Sequence, residues 1–414
     1  MQNGYKRLKY ACYTTNLSMS VISALQPLLF LTFRERYGIS YSLLGLLVLV
    51  NYCTQLAIDL VFSFYSHKFN IEKTVRLIPV ITAVGLFVYA LAPVLFPNAV
   101  YGGLMLGAVI FAASGGLSEV LISPVIAAIP ADNPDREMSK LHSIFAWGVV
   151  GVVIVSTVFL TLAGTERWQL LAILWMLVPM AAAFLYHGQK LPAMERPEKS
   201  SGALRLALRK DSLLSFFCIF AAGASECSMS QWSSSYLEQA LGIPKAFGDI
   251  FGVALFSVML GLGRSLYAKY GKQIGGVLFF GSVGALVCYL TAAFSSVPLV
   301  GLLACALTGF CVSMLWPGNL IAATARIPSG GVALFALLAA GGDLGGSVGP
   351  QLVGLVADAA MENDRLLNWA AGLGLTADQL GMKAGLLVAA VFPLIGIFLC
   401  GILWKKLRAG SKSN

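Results

Sequence analysis

Apolar residues along this chain come in unbroken runs rather than alternating with polar ones. Each run approaches the roughly 20 residues that carry a helix across a 30 Å hydrocarbon core. Within lipid only helices and closed barrels satisfy the backbone, and a barrel strand would alternate with a period of two. The pattern therefore predicts an all-α integral membrane protein. Twelve spans are expected, at 9–33, 41–66, 75–96, 100–130, 141–164, 168–187, 213–240, 247–268, 274–295, 297–325, 330–360 and 382–404. The segment Met1 to Lys9 is short and basic, but no small-residue cleavage site ends the run after it, so the first run reads as a retained helix.

Composition agrees with this. The 414 residues are 58% hydrophobic and 11% charged, less than half the charge of a typical soluble domain, about 25%. A net charge of +9 raises the question of nucleic acid, but the bases are not spread over one face. Most of the 28 Lys and Arg fall in alternate loops when the spans are threaded back and forth. That asymmetry implies a multi-pass protein of the cell membrane with both termini cytoplasmic. No nucleic-acid partner is expected, and a monomer is. The eight cysteines all lie in apolar runs without CxxC spacing and read as small buried hydrophobes.

The longest polar stretch, Gly188 to Asp211, carries Pro192, Pro197 and several bases. It divides the chain into six-helix halves at 1–187 and 213–414, with 188–212 as a cytoplasmic linker. Weak echoes recur in the same order in both halves. Asn16-Leu17-Ser18-Met19-Ser20 in span one answers Glu226-Cys227-Ser228-Met229-Ser230 in span seven, and Ser123-Pro124 in span four answers Trp316-Pro317 in span ten. Such echoes suit internal repeats.

A 6+6 layout around a basic linker resembles the major facilitator superfamily over essentially the whole chain. That family's glycine–acid–base loop motif is recognisable after span eight as Gly263-Arg264-Ser265 through Lys269-Tyr270-Gly271-Lys272. After span two it is altered to Tyr65-Ser66-His67-Lys68-Phe69-Asn70, with His67 where the acid is expected. Asn70 stands at the glycine position and is expected to supply a left-handed turn. Within the superfamily, Glu119 lies five residues before Pro124, which is similar to the fucose/glucose permease group and implies a functional acid there. That group also has an acid in span one, where this chain has Gln26.

Ionisable residues deep in a span cost at least about 2.5–3.5 kcal/mol on insertion scales and normally face a cavity or a partner. Glu119, flanked by Ser114, Gly115, Gly116, Ser118 and Ser123, reads as a proton acceptor or solute ligand. Glu226 sits in the most polar deep segment, with Gln231, Trp232 and Tyr236 following, which reads as a wall of the aqueous path. Asn51, Gln55 and Asp59 share one helix face at i, i+4, i+8. Solute-binding candidates are thus Gln26, Asn51, Gln55, Glu119, His142, Trp147, Glu226, Gln231, Trp232, Tyr236, Trp316 and Asn319, with Glu119 and Glu226 as the proton-coupling pair. Asp59, Lys68, Arg264, Lys269 and Asp343 read as gating residues, Arg264 or Lys269 answering Asp59. Asp343 lies in the run from Gly341 to Pro350, expected to hinge.

No HExxH, cysteine cluster, Ser-His-Asp set or Walker motif is visible, so neither a metal nor an organic cofactor nor an enzymatic activity is expected. The resemblance implies a secondary transporter that moves a small polar solute, a sugar or related compound, by alternating access with proton symport. Proton-driven efflux is the alternative. It is disfavoured because span five, around Gly148 and Gly151, lacks the proline of the efflux signature.

Overall fold

A computed structural model describes residues 5–65, 68–130, 134–192, 208–327 and 331–410. Twelve long helical segments follow one another. They are α1 (Lys6–Tyr37), α2 (Tyr41–Tyr65), α3 (Ile71–Leu95), α4 (Val100–Ala128), α5 (Pro134–Ala163), α6 (Trp168–Tyr186) and α7 (Lys210–Leu241). Then come α8, in the three pieces Lys245–Gly248, Asp249–Ala254 and Leu255–Tyr270, and α9 (Ile274–Phe294). The tenth, α10, is broken into Pro298–Val312 and Leu315–Arg326. After it come α11 (Gly331–Met361) and α12, made of Ala377–Ala389 and Val391–Gly410. Among the described residues eleven of these segments are long and apolar enough to cross a membrane, and α11, with 31 residues, supplies the twelfth. The expected span centres hold. Several ends run longer, because the helices continue into polar residues beyond the hydrocarbon.

Local chemistry sets the ends. Gly242 adopts φ 65° after α7, and its N–H closes onto the carbonyls of Glu238 and Leu237, the left-handed stop that lacks a Cβ penalty. Thr376 and Gln379 form a capping box at the start of α12. Asn70 departs from expectation. Its φ of −80° is extended, and its side chain accepts from the Lys73 N–H to cap α3. Asparagine is a strong N-cap, and that role replaces the expected left-handed turn.

Two compact units emerge: residues 1–37 with 50–199, and 38–49 with 200–414. The first turns of α2 are thus grouped with the second unit. In the first unit α1 packs on α4, α5 and α6, and α3 on α4 and α6. In the second unit α7 packs on α10, α11 and α12, and α9 on α10 and α12. The pairings repeat at an offset of six helices.

The helices approach closely where glycine faces a neighbour. In the run expected to hinge, α11 is continuous through Pro350. Gly341, Gly345 and Gly349 form an i, i+4, i+8 stripe that seats Phe216, the Phe220 carbonyl and Ala224 of α7. Those glycines serve as a packing face in the run where the sequence suggested a hinge. All eight cysteines are free, and six are buried.

Candidate functional site

In the first unit the polar face of α2 is wired side chain to side chain. Asn51 donates to the Gln26 carbonyl oxygen at 3.3 Å, and Gln55 donates to Asn51 at 2.7 Å. One turn further, Asp59 lies beside α4, where Gly115 and Gly116 leave room for it. A Cβ on Gly116 would come within 2.9 Å of Asp59 Oδ1, and one on Gly115 within 3.2 Å of Gln55. Small residues here are what admit polar side chains between two spans. Glu119 follows one turn along α4, and carboxylate oxygens of Asp59 and Glu119 lie within 4.8 Å of each other. Neither acid has a basic partner within salt-bridge distance among the described residues. Asp59 Oδ1 is buried without a hydrogen bond, while Glu119 is exposed. Two full charges at that separation repel by about 3 kcal/mol at an effective dielectric near 20, less where solvent screens Glu119. One shared proton relieves the repulsion.

The second unit treats its acids differently. Arg264 Nη2 lies 3.7 Å from Glu226 Oε1, and its Nε donates at 3.0 Å to the Ser313 carbonyl. That carbonyl sits at the break in α10 and is left over by the interrupted helix. A helix C-terminus also attracts a cation, so the break holds Arg264 where it can reach Glu226. Asp249, buried at 1% exposure, begins the π-helical turn of α8. It accepts from Ser234 at 2.5 Å and pairs with Lys245 at 3.3 Å. Asp211 is held by Lys406 at 2.8 Å and Arg326 at 2.9 Å. Asp358, which the sequence reading did not single out, accepts from the first backbone N–H groups of α2, Tyr41 at 3.1 Å and Ser42 at 2.6 Å. Its signal in the sequence was only an acid late in α11, about 300 residues from its partner.

Several expectations change with burial. Trp232 is fully buried, with its indole N–H given to the Pro350 carbonyl at 2.9 Å and its ring edge-on to Tyr41. Tyr236 is fully buried and donates to the Ala292 carbonyl. Neither presents a face to a solute, so both leave the binding set. Asn319 is also sealed, with its amide spent on Leu315 of its own helix. Gln231 is 6% exposed, and most of the α7 serines are buried as small packing residues, so that segment is not an open wall. Glu226 and Ser230, one turn apart, are half-buried and form its open edge. Gln26 and Asn51 are buried too, which makes them a relay that fixes Gln55.

Trp316 is half-buried, its indole laid over Gly342 of α11, while Trp147 on α5 is 70% exposed. His142 belongs to α5, but its side chain lies outside the described residues, as do His67 and most of the 188–212 linker. Among the expected gate residues, Arg264 is engaged within its own unit. Lys68 and Lys269 are exposed over the rings of Tyr65 and Tyr270 at 5.0 and 5.1 Å. Asp343 is buried within α11.

Comparison with known proteins settles the family. The sequence profile of the Major Facilitator Superfamily matches residues 11–350. The chain belongs to the Major Facilitator Superfamily. As a member of that superfamily it is a multi-pass membrane transporter of small solutes, not an enzyme. Its fold is similar to a bacterial homologue of the human lysosomal transporter Spinster, at 13% identity and TM-score 0.71 over 98% of each chain. It is also similar to the nucleoside transporter NupG in a D323A form, at 12% identity and TM-score 0.73 over 96% of this chain and 98% of that one. The E. coli fucose:proton symporter matches at 16% identity and TM-score 0.60, covering 97% and 99%. These identities carry the superfamily fold and do not single out the permease group. No curated protein sequence matches the chain.

Proposed function

We propose that this Major Facilitator Superfamily member is a proton-coupled symporter of a small polar solute, a sugar or related compound, acting as a monomer in the cell membrane. The observation that carries the reading is the Asp59–Glu119 pair, two carboxylates within 4.8 Å on two membrane-spanning helices, with no base in salt-bridge range among the described residues. The pair carries the coupling proton, with Glu119 the exposed member that exchanges it. This moves Asp59 from gating to coupling and makes Glu226, already answered by Arg264, a solute-facing or gating acid. Gln55 and Trp147 in the first unit, and separately Glu226 and Trp316 in the second, offer polar and aromatic groups of the kind that suit a hydroxyl-rich solute. Two neighbours in fold are described as a fucose:proton and a D-xylose–proton symporter, which agrees with this reading.

Reconstituted liposomes test it. Radiolabelled hexoses, pentoses and nucleosides are offered with and without an inward proton gradient. Wild type is expected to accumulate at least one of them only when the gradient is imposed. Glu119→Gln is expected to keep exchange between loaded compartments and lose uphill accumulation, since exchange needs binding and reorientation but no bias between states. Loss of both activities would make Glu119 a solute ligand. Gradient-independent uptake by wild type, or gradient-driven export, would defeat the proposal.

A further inference from the structure

At one end of the second unit, where α9 begins and α12 finishes, a cavity of about 690 Å³ opens between Lys272, Gln273, Gly275, Trp404, Leu407 and Arg408. It lies at the ends of two membrane-spanning helices and so at the level of lipid headgroups. Its floor is aromatic and fixed. The Trp404 indole lies against the backbone of Gly275, where a Cβ would come within 2.7 Å of it. Phe279 and Phe280 hold the ring from its other sides, at centroid separations of 5.6 and 5.8 Å. Tryptophan at a helix end marks the interface.

The walls are cationic. The Arg408 guanidinium sits 4.4 Å over the Trp404 ring, and stacking on an aromatic face leaves its N–H fork free to point outward. Lys272 lines the same cavity. Among the described residues neither base has a carboxylate in salt-bridge range. This contrasts with Lys406 and Arg326, which both pair with Asp211. Gln273, which precedes α9, makes no side-chain cap, so N–H groups of the first turn add donors to the same space. Two uncompensated cations, a flat indole and backbone donors around one open cavity match a phosphate that bears a negative charge and sits against apolar chains. Basic pockets between spans hold anionic headgroups in this way.

The geometry points to a binding site for the phosphate headgroup of an anionic phospholipid, held by Lys272 and Arg408 over Trp404. Phosphate is the recognised chemistry, and the lipid is its source because the cavity lies at the ends of two membrane-spanning helices. Native mass spectrometry of the purified full chain, titrated with phosphatidylglycerol, phosphatidylcholine or soluble glycerol 3-phosphate, tests it. Phosphatidylglycerol is expected to bind at least tenfold more tightly than phosphatidylcholine, and glycerol 3-phosphate is expected not to compete. Lys272→Gln and Arg408→Gln should each weaken phosphatidylglycerol binding about fivefold and together about thirtyfold, from the worth of one basic residue at a lipid surface. Lys405→Gln, an exposed base outside the cavity, should change it less than twofold. The single variants keep the test open if the double variant does not fold. Unchanged affinity in the Lys272 and Arg408 variants, or an equal loss in Lys405→Gln, overturns the site. Competition by glycerol 3-phosphate as strong as that of the lipid overturns the lipid as its occupant.

Discussion

The two units pair the same helices at an offset of six, yet they partner several of their acids differently. In the second, Glu226, Asp249 and Asp211 each face a base. In the first, Asp59 and Glu119 face each other. An acid beside a base is stabilised in its charged form and holds structure. An acid beside another acid keeps a strain that only a proton or cation removes, and that makes it responsive. The repeat therefore supplies one scaffold, and charge pairing distinguishes the acids of its two copies.

The strongest way to break this comparison is through the packing of the second unit. Gly345→Leu drives a side chain into the Phe220 carbonyl of α7. Overpacking costs about 1–3 kcal/mol in ordinary cores, and more is expected where the obstacle is backbone. The yield of folded, monodisperse protein should collapse. Wild-type melting behaviour in that variant would mean the glycine stripe is not a packing face.

Next in size is a double-mutant cycle on the responsive pair. Asp59→Asn and Glu119→Gln should each reduce proton-driven accumulation at least tenfold, with the double variant no worse than either single one. Residues that share one proton act as a unit and their effects do not add. Additive losses would separate the two acids and return Asp59 to a gate.

A smaller effect is expected at Glu226. The 3.7 Å pair with Arg264 is partly exposed, with Arg264 at 42%, and such pairs contribute about 0.2–1 kcal/mol. Glu226→Gln should move the melting temperature by only a few degrees and leave the dependence of transport on the proton gradient intact. If it instead uncouples transport as Glu119→Gln does, the contrast between the units fails.

The smallest effect concerns an acid of the first unit that does face bases, outside the membrane-spanning segments. Glu137 at the start of α5 accepts from Tyr13 at 2.8 Å, pairs with Lys140 at 3.0 Å and with Lys9 at 3.2 Å. These partners hold its carboxyl down at about 2, from an ordinary 4.5. Its folded value is depressed, so its contribution is complete above about 4.5 and fades as pH falls toward 2. The melting temperature of wild type should exceed that of Glu137→Gln slightly at pH 7, and the gap should narrow steadily as the buffer is taken from pH 4.5 toward 2. A gap as wide at pH 3 as at pH 7 would show that packing, not charge, holds α1 to α5.

Hydropathy and charge fixed the class of protein and the number and order of spans, because lipid leaves a backbone few alternatives and the length of a span is set by the bilayer. Spacing along one helix was also legible, since Asn51, Gln55 and Asp59 share a face by periodicity alone. The environment of each polar residue was not. Trp232, Tyr236 and Asn319 look like ligands when only sequence is read, yet all three are buried: α11 takes the Trp232 donor, α9 the Tyr236 donor, and Asn319 gives its N–H to Leu315 of its own helix. Asp59 looked like a gate acid until α4 brought Glu119 beside it through the space left by Gly115 and Gly116. A run of glycines reads as flexible in isolation, and in the structure it forms a close packing face for α7. Which acids meet bases, and which meet each other, depends on contacts between residues tens to hundreds of positions apart, and periodicity within one helix carries no information about its neighbours.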